Sequence, residues 1–224
     1  MKRRELLAML AAGAMVQAAT SDAEEREAHY TQDIALPKPN VAGTITLEQA
    51  IERRRSVRAF RAESLPVGTI GQLLWAGQGV TNADGTRRAA PSAGALYALE
   101  LYAVTAAQVM HYVPAGHRAQ TRDAADLRPA LKALSLGQAS VGEAPLVIAV
   151  AADPARLSAR YGARAGVYAD LEAGHATQNL LLQAVALGLG AVPVGAVDGP
   201  RAAQTLALPH GQTVVYLVPV GFAA

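Results

Sequence analysis

The chain has 224 residues, half of them hydrophobic, and no cysteine. That is enough apolar material for one self-sufficient domain, and it excludes thiolate catalysis, cysteine-ligated metal clusters and disulfides. The formal net charge of +2 falls to 0 once residues 1–18 are set aside, since Lys+Arg drops from 20 to 17 and Asp+Glu from 18 to 17; this balance, with few aromatics, argues against a nucleic-acid surface.

Met1-Lys2-Arg3-Arg4 forms a positive start, Leu6 to Val16 an apolar stretch, and Val16-Gln17-Ala18 a small-residue cleavage site. Residues 1–18 therefore read as an export signal, and the adjacent Arg3 and Arg4 suggest the twin-arginine type, an address for proteins exported already folded. The alternative is an amphipathic N-terminal helix that stays attached. The expected location is periplasmic or exported, and cytoplasmic if the segment is not a signal. The apolar run is too short to span a bilayer comfortably. Residues 19–44 are polar, with a charged patch and Leu36-Pro37-Lys38-Pro39-Asn40, and read as an extended arm before a domain over 45–224.

Thr46 and Gln49 have capping-box spacing and open a helix whose expected buried stripe is Leu47, Ala50 and Ile51. A second helix is expected near Ile70 to Gly77, then a glycine- and asparagine-containing loop through Arg88. Leu99 to Thr105 alternates like a strand, Val109 to Val113 resembles a short hairpin arm, and Asp126 to Ser135 a helix. Pro145 to Ala152 is a continuous apolar run, expected as a central strand. The longest helix is expected over about Tyr168 to Leu187, stopped by Gly188 and Gly190. Ala191 to Val197 reads as a strand, Pro200 to Ala207 as a short helix and Thr213 to Val220 as a last strand. Helices and strands mix without strict βαβ alternation, which predicts an α+β fold with a mainly antiparallel sheet flanked by helices.

Arg53-Arg54-Arg55-Ser56-Val57-Arg58 places four guanidinium groups and a hydroxyl in six residues. Arginine's planar fork matches phosphate oxygens, so the run reads as a phosphate grip; a solvated basic turn is the plain alternative. Without cysteine, redox chemistry has to come from a bound organic cofactor. Pro91-Ser92-Ala93-Gly94-Ala95-Leu96-Tyr97 is a second unusual segment, and Pro193-Val194-Gly195-Ala196 closes a strand. Glu172-Ala173-Gly174-His175 has the Glu-x-x-His spacing of di-iron bundles, but no second such pair exists, so a satisfied helix histidine is the better reading and no metal is expected. Tyr161, Arg164 and Tyr168 precede the long helix and, with His175, are the candidates to line a pocket.

Together the arginine–serine and Pro-Ser segments resemble the nitroreductase family of FMN enzymes. Leu73 to Gly79, Pro91 to Tyr102, Leu171 to Leu180 and Gly188 to Gly195 are similar to its thiazoline/oxazoline dehydrogenase (SagB-type) branch, and the resemblance covers roughly Ile45 to Gly221. It implies a nitroreductase-like homodimer with two flavin sites at the subunit interface. It also implies that Arg54, Arg55, Ser56 and Arg58 hold the FMN phosphate and ribityl chain, that Pro91, Ser92, Ala93 and Gly94 come from the partner subunit, and that the backbone of Pro193, Val194, Gly195 and Ala196 faces the flavin ring. Three departures stand out. Ala95 occupies the neighbourhood where many relatives have asparagine. The distal basic residue of many relatives has no counterpart after Gly221-Phe222, leaving Arg53 and Arg61 as possible substitutes. The Lys-Tyr pair that azoline dehydrogenases use in proton removal is absent, the only lysines being Lys2, Lys38 and Lys132. The implied activity is hydride transfer between FMN and a small organic substrate, with the flavin carrying the chemistry; an exported flavin carrier or sensor without turnover is the alternative.

Overall fold

The computed structural model describes residues 29–224, so the expected export signal at 1–18 and residues 19–28 of the arm lie outside the described residues. Seven strands form one sheet: β1 (Gln32–Ala35), β2 (Leu99–Val104), β3 (Gln108–Val113), β4 (Arg118–Asp123), β5 (Leu146–Ala152), β6 (Gly190–Ala191) and β7 (Thr213–Gly221). Their order is β1-β4-β3-β2-β5-β7-β6, and every neighbouring pair is antiparallel. Among the described residues seven α-helices accompany them: α1 (Leu47–Arg53), α2 (Val67–Gln78), α3 (Arg128–Ala133), α4 (Ala139–Glu143), α5 (Ala155–Tyr161), α6 (Ala165–Ala186) and α7 (Gly199–Thr205). The architecture is the expected α+β arrangement. No helix among the described residues is long and apolar enough to cross a membrane.

The sheet has a core on each face. On one side Leu99, Leu101 and Ala103 of β2 meet Leu73 and Leu74 of α2 and the stripe Ala169, Ala173, Ala176, Leu180 and Ala184 of α6. On the other, Tyr102 and Val104 join Leu131, Val141 and Ala202 from α3, α4 and α7, and Leu206 just after α7. Successive β2 residues thus serve opposite faces, as a pleated strand requires. β5 lies between β2 and β7, and its seven residues are all buried, which explains its unbroken apolar run. Alanines let α6 lie close to α2, and a β-carbon at Gly77 of α2 would stand 3.4 Å from Leu180 Cδ2 of α6 and 2.8 Å from Leu101 Cδ1 of β2.

The capping box of α1 forms in both directions, with Gln49 N–H donating to Thr46 Oγ1 at 3.2 Å and Thr46 N–H to Gln49 Oε1 at 3.1 Å. Such a cap contributes about 1 kcal/mol. Of the stripe expected to be buried on α1, however, only Ala50 is: Leu47 and Ile51 are 60% and 56% exposed. The strand expected over Ala191 to Val197 is also shorter. Pro193 has no N–H to continue the ladder, and the chain returns only at Val194, which bridges Leu217. Part of the extended arm forms β1, hydrogen-bonded to β4 at the sheet edge.

Candidate functional site

The arginine segment leaves α1 at Arg54, whose backbone turns out of the helix at φ −55°, ψ 122°. It then runs along the sheet edge. Ser56 pairs in parallel with Ala191 of β6, and Val57 N–H donates to Ala191 O at 3.1 Å. The contact is close enough that a β-carbon on Gly190 would sit 2.6 Å from Val57 Cβ. Further on, Phe60 bridges Ala223 and the Arg61 side chain donates from Nε to Ala223 O at 3.0 Å. Arg55 and Arg58 are exposed and Arg54 is half-buried. Among the described residues none of Arg53, Arg54, Arg55 and Arg58 forms an ion pair; the guanidinium groups of Arg55 and Arg58 reach only the nearby carbonyls of Glu52, Arg54 and Ser56. Adjacent cations without counter-charge repel, and a bound oxyanion relieves that repulsion while gaining charge-assisted hydrogen bonds.

Pro193 to Ala196 follows β6 directly, so the structure brings it to the same edge. Its expected backbone donors need correction. Proline has no N–H, and the Val194 N–H is taken by Leu217 O at 2.8 Å, with Leu217 N–H returning to Val194 O at 3.0 Å. Gly195 and Ala196 are exposed, and their amides have no acceptor among the described residues. Of the four, these two keep backbone N–H groups available to a ligand.

The Pro91–Gly94 loop is built differently. Gly94, Ala95 and Tyr97 all have positive φ, at 60°, 54° and 51°. For alanine and tyrosine this conformation costs about 1–2 kcal/mol each and persists only where the surroundings enforce it. A buried network does so. Ser92 Oγ donates to Glu172 Oε2 at 2.6 Å and accepts from Tyr97 N–H at 2.8 Å, while Ala98 N–H donates to the same carboxylate oxygen at 3.4 Å. Gln78 Nε2 donates to Glu172 Oε1 at 3.4 Å, and Arg88 Nη1 to Gln78 Oε1 at 3.2 Å. The Arg88 guanidinium lies over the Tyr97 ring, 4.4 Å from its centre. Burial pushes the Glu172 carboxyl above its ordinary range, opposed by hydrogen bonds from Ser92, Ala98 and Gln78 and by the charge of Arg88. Burial likewise lowers Arg88.

Of the pocket candidates, Tyr161, Arg164 and Tyr168 gather beside this loop, with the rings of Tyr161 and Tyr168 4.9 Å apart. Tyr161 Oη stands 2.8 Å from where a β-carbon on Gly94 would be. His175 does not join them; it lies two helical turns beyond Tyr168, exposed on α6. Glu172 is buried and committed to Ser92 and Gln78, so Glu172 and His175 do not converge on a common ligand. Sequence reasoning noticed Glu172 for its spacing and missed its role as the loop's anchor, along with Gln78 and Arg88. The available signal was a carboxylate among the alanines of a helix face that has to be buried.

The two halves of the candidate site are far apart within one chain. The loop is tied to Glu172, whereas the arginine segment is tied to Gly190 and Ala191, beyond the C-terminal end of α6. From Glu172 to Ala186 the helix alone spans about 21 Å at 1.5 Å per residue. Val167 and Leu171 on α6 are 50% and 53% exposed, matching the exposed Leu47 and Ile51 on α1.

Known proteins resemble this chain in sequence and in fold. The sequence model of the nitroreductase family matches residues 51–222. A Methanocaldococcus jannaschii protein named as a nitroreductase is 34% identical over 197 residues, covering 85% of this chain and 96% of that protein. A crystal structure from Ralstonia eutropha, described as a nitroreductase, is 28% identical with a TM-score of 0.78 and covers 88% of this chain and 92% of that one. The NADPH:FMN oxidoreductase of Vibrio harveyi, solved with NAD+, shares the fold at a TM-score of 0.60 and 20% identity, covering 79% of this chain and 68% of that one. The chain belongs to the nitroreductase family, whose members are FMN-dependent oxidoreductases.

Proposed function

We propose that the protein binds FMN between two copies of the chain and exchanges an electron pair between the flavin and a small organic substrate. The observation that carries this reading is the separation of two unlike half-sites at opposite ends of α6. One is an arginine segment without carboxylate partners among the described residues, and the other a strained small-residue loop held by Glu172. The residues present fit the cofactor. Arg54, Arg55, Ser56 and Arg58 would hold its phosphate, and Gly195 and Ala196 offer outward amides that can stabilise developing charge without a titratable group. Ala93 and Gly94 allow close approach along the loop from the second copy. When bound, FMN supplies the hydride chemistry, and the protein supplies position and electrostatics. Leu47, Ile51, Val167 and Leu171 give the second copy an apolar surface to cover.

Within the family, Pro91 to Tyr102 and Gly188 to Gly195 support a place beside the SagB-type dehydrogenases, while the missing Lys-Tyr pair speaks for a substrate other than an azoline. Arg3 and Arg4 support export to the periplasm with the flavin already loaded, where oxygen, a quinone or a redox protein would replace nicotinamide as the partner. Protein purified from the cytoplasm should be yellow and release FMN rather than FAD on denaturation. Anaerobic incubation with candidate donors, followed by flavin bleaching, then identifies the substrate. Wild-type protein refolded with excess FMN and remaining colourless would sink the assignment.

A further inference from the structure

Arg156, Arg160 and Arg164 recur at four-residue intervals along α5 and the 3-10 turn that follows it (Gly162–Arg164). The first is neutralised: Arg156 pairs with Glu100 at 2.6 Å and with Asp153 at 3.3 Å. The other two are not. Among the described residues neither Arg160 nor Arg164 forms an ion pair, and both are exposed.

Each lies over a tyrosine instead. The Arg160 guanidinium is 5.6 Å from the Tyr161 ring centre, and that of Arg164 is 5.0 Å from Tyr168, to whose hydroxyl its Nε also donates at 3.1 Å. The two rings meet edge to face at 73°. This gives the spatial series Arg160–Tyr161–Tyr168–Arg164. A guanidinium resting on an aromatic face is oriented by the ring's negative face yet keeps donors free for an oxyanion. The series also has a fixed place. A β-carbon on Gly94 would fall 2.8 Å from Tyr161 Oη and 2.9 Å from Arg160 Nη1, so the Arg160 end of the series lies directly against the loop.

We infer that this arginine–tyrosine series receives the charged end of the substrate, and that the substrate class is a small organic anion bearing a carboxylate or phosphate group. Arg160, at the loop end of the series, holds the oxyanion, Arg164 adds a second positive charge at the far end, and Tyr161 and Tyr168 offer apolar area to the adjoining hydrocarbon. Residues 19–224 carry no net formal charge, so two uncompensated cations at this point are a local feature. The inference rests on the reading of the Pro91–Gly94 loop as flavin-facing.

The test is calorimetric binding to the FMN-loaded protein, with flavin content read from the same sample. The probes are para-nitrophenylacetate, para-nitrophenyl phosphate and the neutral para-nitrobenzyl alcohol. Wild type should bind one of the two anions at least about tenfold more tightly than the alcohol, and that anion identifies the charged group; added salt should weaken the anion alone. The double variant R160Q/R164Q should retain FMN and lose the preference, and R160K/R164K should keep part of it because charge remains while the planar fork is lost. Equal binding of all three probes overturns the inference, as does an undiminished preference in R160Q/R164Q. Loss of FMN from R160Q/R164Q also overturns it, by assigning these arginines to the cofactor. Wild-type protein that takes up no FMN overturns the flavin reading and this inference with it, whereas loaded protein without anion preference overturns this inference alone.

Discussion

Ser92 donates its hydroxyl hydrogen to the buried carboxylate of Glu172 at 2.6 Å, joining residues 80 apart in sequence and fixing the Pro91–Gly94 loop to α6. Burial raises the Glu172 pKa above the ordinary value of 4.5, so the folded protein holds this proton more tightly than the unfolded chain. The stability that comes with protonation is present below the unfolded value and is lost as pH rises through the folded one. Urea unfolding of the wild type should therefore show stability declining with pH above about 4.5 from this group, and E172Q should flatten that decline. E172A leaves Ser92 and Gln78 without an acceptor and should destabilise by about 1–3 kcal/mol.

The second prediction concerns Gly190. Its missing side chain admits Val57, and with it the pairing of Ser56 with Ala191. G190A should cost about 1–3 kcal/mol by overpacking and should push the arginine segment off the sheet edge. Titration of apo-protein with FMN should show weaker binding in G190A at temperatures where it remains folded; unchanged affinity would separate the segment from the cofactor.

Arg58 is exposed, and among the described residues its side chain bonds only to the Ser56 carbonyl, at 3.5 Å. Removing it should leave the fold intact and weaken FMN binding by about 1.5–3 kcal/mol, the range of a hydrogen bond to a charged group. R54A should behave alike. Quenching of flavin fluorescence on binding measures both.

Ile51 and Leu171 are each more than half exposed on separate helices. If a second copy covers them, sedimentation should find a dimer. The variant I51E/L171E should then sediment as a monomer and lose its flavin on gel filtration, because each half-site loses its counterpart. A wild-type monomer with full flavin occupancy would contradict the shared site.

Arg3 and Arg4 lie outside the described residues, and their role is tested in cells. R3K/R4K should leave flavin-loaded precursor in the cytoplasm while the wild type reaches the periplasm. Rapid stoichiometric bleaching of wild type by NADPH would instead favour a cytoplasmic nicotinamide-driven enzyme.

What the sequence disclosed follows the range of the interactions concerned. The Thr46–Gln49 box, the alternation of Leu99 to Val104, the unbroken run of β5 and the glycine stop at Gly188 depend on near neighbours, and all were legible. β4 was not, since only Ala119 and Thr121 of its six residues are buried and the rest read as a polar loop. In the site, the family resemblance pointed to the three segments but not to what holds them. The anchoring of Ser92 by Glu172 and the loss of the Val194 amide to Leu217 are pairings between remote segments, which leave no period in the sequence. Leu47 and Ile51 carry a buried pattern yet face outward, because the pattern records a need for cover without stating which molecule provides it.

The bond from Arg61 to the Ala223 carbonyl spans 162 residues, and the Ser56–Ala191 pairing spans almost as many. A polypeptide emerging from the ribosome therefore exposes its arginine segment long before any partner strand exists. Closing contacts over such separations carries the larger loop entropy and comes late in folding. If the arginine segment holds the flavin as proposed, cofactor capture is a terminal event of biogenesis, and ribosome-arrested chains that stop short of Gly190 should emerge without flavin.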